Sequence, residues 1–564
     1  MCGIWALLGS DEVSPFEQAQ FMRIMGRGPD LHVLKEVHPR VHLGFHRLAI
    51  VIPGDTPSEQ PIVGQGKSVV CNGELYNHLQ IKEGSSLELT NNGSDCAAII
   101  HAFHKNGNDL KKTCAMLDGV FAFIMADEQN VYVGRDPLGV RPLFYGYTSQ
   151  GNLAIGSEVK SISELCERVE VFPPGCCATI AFTNGHPRPF KTERYYFVPQ
   201  IADRFVSIEN AQLLIREVLT KSVEKRLMGN RHFGFMLSGG LDSSLIAAIA
   251  TRALKHKPVA FSVGFEDSED LVNARRVAQY LNINHVVHVI TAEDCLNVIP
   301  EVIYALETYE PAIVRCGIAH YLLCRHIASI SDVKVLLSGE GADELFGSYA
   351  YMQKAPNAFH LHKEIHRRLQ MLHQYDVLRC DRATSCHGLE IRVPFLDKKF
   401  IDLVARLPPA YKLQPMKLEK HMLRAAFEGW LPEEVLWRSK EGFGEALGKQ
   451  DLGEIIGARC AETISDKLFS TRHTLYPERT PETKEEFWYR ELFEKAYGTE
   501  KMGHLIHTKV YRTAAWQLTE EKENHRVVME EGRLERLGVA NKGSEEVLRL
   551  RRRSTGSTTL SGVA

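Results

Sequence analysis

Cys2 directly follows the initiator Met1, in Met1-Cys2-Gly3-Ile4-Trp5. Removal of Met1 would leave a thiol and a free α-amine on one residue. A thiol is a strong nucleophile, and an adjacent amine or an ordered water can take its proton. Such a residue can cleave an amide without a His-Asp relay. A second chemical signature lies far downstream, Ser238-Gly239-Gly240-Leu241-Asp242-Ser243-Ser244, between an apolar run and the helix-like stretch Leu245 to Ala253. Its small residues let backbone N–H groups approach phosphate oxygens, and the helix N-terminus adds a positive end. Ser243 and Ser244 add hydroxyl donors, and Asp242 can hold Mg2+. No Lys follows the glycines, so this is not the common phosphate loop that ends in Gly-Lys-Ser/Thr. Leu337-Ser338-Gly339-Glu340-Gly341-Ala342-Asp343-Glu344 has the same character. Neighbouring strand ends of a parallel sheet meet at one rim. Asp343 is therefore expected to join Asp242 around Mg2+, two carboxylates on a hard cation. Together the two signatures imply one catalyst that releases ammonia and another that uses it.

An amidase built on Cys2 needs donors for an oxyanion and charges for the ends of its substrate. Arg47 in Phe45-His46-Arg47-Leu48-Ala49 can fork onto a carboxylate. Asn72-Gly73-Glu74 offers an amide, an unhindered N–H and a carboxylate, and Asp95, after Gly93-Ser94, offers a second anion for an ammonium group. Taken singly, these have plainer readings: a surface Arg, an Asn-Gly turn and a helix cap.

The elements that must position these residues fall into two textures. Up to about residue 190 the chain is β-rich, with strands expected at Val41–His46, Ser68–Cys71, Phe121–Met125 and Val131–Val133. Turns are expected at Pro53-Gly54, Asn92-Gly93, Asp118-Gly119 and Pro174-Gly175. A helix is expected from Asp95 to His104, capped by Ser94 or Asp95. Residues 190–207 read as a connector. Beyond it, a helix at Ala211–Leu227 precedes buried strands at Phe233–Leu237, Val259–Val263, His285–Val289 and Val333–Leu337, an alternation that argues for a doubly wound parallel sheet. Past Leu345 a mostly helical chain is expected, and residues 541–564, rich in Gly, Ser, Thr and Arg, read as a disordered tail.

The chain has 564 residues, which implies two to four domains. Its net charge of -3 provides no basic field for nucleic acid or membranes. Its thirteen cysteines lack zinc spacing, and with no signal-peptide pattern and no long apolar run they point to reduced thiols in the cytoplasm.

In family terms, Cys2-Gly3-Ile4, Arg27-Gly28-Pro29-Asp30, Gly44 to Leu48, Gln60-Pro61-Ile62, Asn72 to Asn77, Ser94-Asp95 and Gly134-Arg135-Asp136 resemble the class II, N-terminal-nucleophile glutamine amidotransferases. The resemblance covers roughly the first third of the chain. It implies a four-layer α/β/β/α sandwich over 2–189 in which Cys2 attacks the glutamine amide. Asn72 and Gly73 would form the oxyanion hole. Arg47 would bind the substrate carboxylate, Glu74 and Asp95 its ammonium, and the backbone of Leu48, Ala49, Ile50 and Val51 would line the pocket. Two departures stand out: Gly26 replaces a His, and Ala97 replaces an acidic residue.

The glycine-rich run resembles the ATP pyrophosphatases. Leu306 to Tyr309, Ser338 to Phe346, Asp376 to Arg382, His387 to Asp397, Glu419-Lys420-His421 and Trp437 to Glu441 narrow the resemblance to the glutamine-hydrolysing asparagine synthetases, whose synthetase domain would span 208–535. It implies that Leu237, Ser238, Gly239, Gly240, Asp242, Ser243, Ser244, Val263, Ser338 and Gly339 contact ATP. Glu340 would act in forming β-aspartyl-AMP, Lys440 would stabilise phosphate charge, and Arg315 would bind the acceptor. The small-molecule partners would be glutamine, aspartate and ATP, and a homodimer is a further implication. Ala312 and Ile313 stand where the family has paired threonines, and Gly444-Glu445-Ala446 replaces its Ser-Asp-Gly. A different carboxylate acceptor and a catalytically degenerate regulatory protein therefore stay open as alternatives. Ammonia passing between the sites calls for a dry, apolar passage.

Overall fold

A computed structural model of the chain describes residues 1–50, 59–183, 185–203, 206–413, 418–439, 447–448, 451–498, 502–506, 514 and 516–517. Val51, the turn at Pro53-Gly54, Lys440, Gly444 to Ala446 and the tail at 541–564 lie outside the described residues.

The N-terminal half weaves between two antiparallel sheets. The chain lays down β1 (Gly3–Leu8), β2 (Leu31–His38) and β3 (Val41–Arg47), then crosses to β4 (Ile62–Gly64), β5 (Lys67–Leu75), β6 (Gly119–Ala126) and β7 (Asn130–Arg135). It returns through β8 (Phe144–Thr148), β9 (Leu153–Gly156) and β10 (Cys166–Val171), and ends with β11 (Cys176–Thr183), β12 (His186–Pro187) and β13 (Glu193–Arg194). One sheet runs β10-β8-β9-β1-β3-β2; the other runs β12-β11-β7-β6-β5-β4, with β13 also on β11.

Alternation along β1 explains the layers. Ile4, Ala6 and Leu8 enter the core between the sheets with Phe45, Val70 and Ile124. Trp5 faces the other way, its ring 5.9 Å from Phe21 on the helix Pro15–Met22. On the far side, Val69, Cys71, Phe121 and Phe123 pack with Ile99, Ala102 and Phe103 of the helix Ala98–Lys105. The result is the expected α/β/β/α sandwich. One local reading is corrected: Asn72-Gly73 is not a turn. It lies within β5, opposite Ala122 and Phe121 of β6. A Cβ on Gly73 would fall 2.3 Å from the Val120 carbonyl oxygen, so only glycine fits this register.

The C-terminal half holds a parallel sheet of β14 (Phe233–Met236), β15 (Val259–Gly264), β16 (Asn284–Val289), β17 (Val335–Leu337) and β18 (Glu390–Arg392). The order is β16-β15-β14-β17-β18. The chain winds one way from β14 through β15 to β16, then restarts on the other side with β17. The reversal between β14 and β17 is where ligands bind in such sheets, and the Ser238 and Ser338 runs follow these two strands. Past Leu345 the chain is mostly helical as expected, with one strand added, β18, which is three residues long and carries two charged side chains, Glu390 and Arg392.

One apolar core joins the halves: Met1, Leu48, Ile50 and Val140 pack in the same cluster as Phe233, Leu237, Ile391 and Phe400. By its packing the chain divides into Met1–Lys509, which holds all three sheets, and Val510–Ala564. In the second unit the described residues form a turn in which the Ala514 N–H donates to Gln517 Oε1 at 3.0 Å.

Candidate functional site

Cys2 sits at the entry to β1, and three segments converge on it. The Leu48 N–H, at the end of β3, lies 3.5 Å from Cys2 Sγ. Arg27 Nε donates to the Cys2 carbonyl at 2.9 Å. The Asn72 amide is oriented by its neighbours, its nitrogen donating to the Cys2 carbonyl at 3.0 Å and its oxygen accepting from Arg27 Nη2 at 3.3 Å. Burial pushes the Cys2 thiol up to about 11, so it rests as S–H and needs a base to become a nucleophile. Met1 is fully buried, with its α-amine donating to the Leu389 carbonyl at 2.8 Å. Burial drops that amine to about 5.

Of the substrate-recognition candidates, Glu74 lies near enough to Cys2 to act on its thiol electrostatically. Asp95 is buried, accepts from the Leu75 N–H at 2.8 Å, and has its pKa raised by burial. Cys96, beside it, lies with Sγ 3.8 Å from the Gly73 carbonyl, which ties the Asp95 turn to β5. Glu74 faces the other half of the molecule, 3.2 Å from Arg392 of β18. Burial, with Glu390 nearby, raises its pKa well above the usual carboxylate range. Arg47 is half-buried at the last position of β3. Ala49 and Ile50 are braced from both sides: the Ala49 N–H donates to Asp30 at 2.7 Å, Arg231 Nε donates to the Ala49 carbonyl at 3.0 Å, and the Asn230 N–H reaches the Ile50 carbonyl at 3.4 Å.

The seam beside Cys2 is ionic. Arg27 Nη1 reaches Glu158 at 2.5 Å and Asp381 at 2.8 Å, Lys160 pairs with Glu158 at 2.7 Å, and Arg382 pairs with Glu307 at 2.6 Å. All are buried. Ionic packing satisfies charges that neither half could bury alone. The departure at Gly26 has a steric reason here. A Cβ on it would fall 2.9 Å from the Cys386 carbonyl oxygen across the seam, so a His side chain has no room.

At the other end, the two strand-end loops interlock. Gly239 is held at φ +78, and a Cβ there would fall 2.4 Å from the Ala274 nitrogen. A Cβ on Gly339 would fall 2.7 Å from the Asp242 carbonyl carbon and the Ser243 nitrogen. The first loop is tied by its hydroxyls: Ser238 and Ser243 lie 3.0 Å apart, and the Gly240 N–H donates to Ser238 Oγ at 3.3 Å. Ser244 is buried in the first turn of the helix Leu241–Ala253. The Leu237 N–H donates to Phe261 of β15, the strand that carries Val263, at 2.9 Å. The Ser338 N–H donates to the Arg392 carbonyl at 3.0 Å, so β18 touches both sites.

Asp242 and Asp343 do converge. Lys420 Nζ bonds Asp242 and lies 2.6 Å from Asp343. Glu340 accepts from Arg379 Nη2 at 2.7 Å. Burial raises its pKa, and Arg379 works against that. Arg379 in turn lies 3.2 Å from His320 Nδ1. Arg315 is paired with Glu485: its Nε donates to Glu485 at 2.8 Å and its Nη2 bonds the same carboxylate. Ile313 is buried. The sequence reading gave no role to Arg27, Arg379, Arg392 or Lys420. Each lies inside a quoted motif, and only the three-dimensional pairing singles it out.

The Asparagine synthase family model matches residues 214–361 and 353–527, and the Glutamine amidotransferase domain model matches residues 1–186. The glutamine-hydrolyzing asparagine synthetase of Cricetulus griseus is 38% identical over 532 residues, covering 88% of this chain and 94% of that one. That of Brassica oleracea is 37% identical over 521 residues, covering 88% and 86%. Among the described residues no helix is long and apolar enough to cross a membrane. With both family models matched in order and likeness along most of its length, the chain belongs to the family of glutamine-hydrolysing asparagine synthetases.

Proposed function

We propose that the chain runs its family's ATP-dependent synthesis of asparagine through two sites, with residues 2–189 as the glutaminase and 208–535 as the synthetase. After Met1 is removed, the freed Cys2 amine or an ordered water takes the thiol proton, and sulfur attacks the glutamine amide carbon. Asn72 and the Gly73 N–H stabilise the oxyanion. Ammonia leaves, and water hydrolyses the thioester to glutamate. Arg47 holds the substrate carboxylate, and Asp95 its ammonium. Glu74 joins Asp95 only if it lets go of Arg392.

At the second site the aspartate β-carboxylate attacks the α-phosphorus of ATP and pyrophosphate departs. Ammonia then attacks the β-aspartyl-AMP carbonyl and AMP leaves. Glu340 takes the proton released from the attacking nitrogen, and must first part from Arg379. The convergence of Asp242 and Asp343 on one cation fits Mg2+, which keeps several ligands for water and phosphate. Bound there, the metal would neutralise polyphosphate charge. Catalysis in the cytoplasm by a homodimer is the setting we propose.

The observation that carries this reading is the convergence of Leu48, Arg27 and Asn72 on Cys2. Cys2→Ala is expected to abolish asparagine formation from glutamine and to leave formation from added ammonia, with AMP as the nucleotide product. Loss of both nitrogen sources, or ADP in place of AMP, would refute it. Ile313 and the Arg315–Glu485 pair favour a second reading with another acceptor. Running the same assay on other small carboxylates decides it, since no turnover with aspartate beside turnover with another acid would select the second reading.

A further inference from the structure

The geometry points to Lys420 as a resident counter-ion that fills the metal position between Asp242 and Asp343 until a metal-nucleotide complex displaces it. This inference rests on the proposed reading of those two carboxylates as metal ligands.

Three separate segments build the arrangement. Asp242 stands in the first turn of the helix Leu241–Ala253, and Asp343 in the first turn of the helix Ala342–Phe346. Lys420 precedes the helix His421–Ala426 and is 5% exposed. Its ammonium bonds Asp242 and lies 2.6 Å from Asp343. Its backbone sits in the left-handed region at φ +56, which an unbranched L residue adopts only when its surroundings demand it. Asp343 is fixed further by the Ser348 hydroxyl. The carboxylates are thus drawn together before any ligand arrives.

The ammonium and a divalent ion exclude each other. Mg2+ binds carboxylate oxygens at about 2.1 Å. A metal bound through the two oxygens that Lys420 holds, Asp242 Oδ2 and Asp343 Oδ1, would stand almost on top of the Lys420 nitrogen, with like charges in contact. Metal entry therefore requires the ammonium to leave, and leaving uncompensated is costly for a buried cation. The phosphates of the nucleotide offer it a new partner. The consequence is an order of loading: metal arrives with the polyphosphate and not ahead of it. The same device offsets one of the two negative charges on these half-buried carboxylates while the site is empty.

Mn2+, read by electron paramagnetic resonance, is the probe. Without nucleotide the wild-type chain is expected to bind Mn2+ weakly, and Lys420→Gln to bind it at least ten-fold more tightly. Lys420→Arg keeps a cation and is expected to bind no more tightly than wild type. Lys420→Gln is also expected to lose thermal stability in chelator and to regain it with Mn2+, a response the wild type lacks. Mn2+ affinity in Lys420→Gln no tighter than in wild type would overturn the inference. So would failure of that variant to fold even with Mn2+, because the metal then cannot stand in for the ammonium. If wild type with ATP binds Mn2+ normally in either case, only the role of Lys420 falls. If wild type with ATP binds no Mn2+, the assignment of Asp242 and Asp343 falls with it.

Discussion

Lys412 is 6% exposed and its ammonium has no hydrogen-bond partner among the described residues. It lines a small cavity with Phe346, Tyr411, Lys420 and His421. Burial pulls its pKa from 10.5 down to about 7. A lysine whose folded pKa lies below its unfolded one destabilises most below the folded value, and stability recovers as pH climbs from about 7 to about 10. Lys412→Met keeps the bulk and removes the penalty. Thermal melts should show it more stable than wild type at pH 7, by the order of a few kcal/mol, with the gap closing toward pH 10. No gain at pH 7 would mean that the ammonium has found a partner. Met1 poses a different constraint. It is fully buried with its amine on Leu389, so a peptidase can reach it only before the chain folds. Folded protein that retains Met1 should resist aminopeptidase, while the same protein cleaved during refolding should show the mass of a chain starting at Cys2.

At the scale of elements, the loops after β14 and β17 work as one device because they touch. A methyl group on Gly339 would press 2.7 Å from the backbone of Asp242 and Ser243. Gly339→Ala is therefore expected to cut pyrophosphate release at least ten-fold and to leave glutamate release from glutamine within two-fold. Equal loss of both would mean that the clash spreads through the seam. Much of this level was legible beforehand. β14, β15 and β16 were readable as compact apolar runs, and the helix Ile208–Lys225 from its 3.6-residue period. β18 was not, because a three-residue strand with two charges carries no periodicity. Asn72-Gly73 carries a strong turn signal as its plainer reading, and pairing with β6 shows why a glycine stands in mid-strand instead. Cys2, Asp242 and Glu340 were legible because their neighbours form compact motifs. Lys420 and Arg379 were not, since their partners lie 178 and 39 residues away.

At the scale of the whole molecule, the halves share a core and a buried ion network. Removing one member of such a network leaves a desolvated charge and costs about 3–5 kcal/mol. Calorimetry on the full chain should give one main transition for the β-sandwich and the parallel sheet together. Asp381→Asn should lower it without separating it into two, and added salt should change it little, because Arg27 and Asp381 are screened by protein and not by solvent. Two well-separated peaks in wild type would show that the seam does not couple the halves. The place where Met1 ends also has a practical side. Its amine is tucked against the Leu389 carbonyl, and Met1 itself is fully buried. Any affinity tag or fusion partner spliced ahead of it would have no way out of the protein, so recombinant handles belong on the opposite terminus.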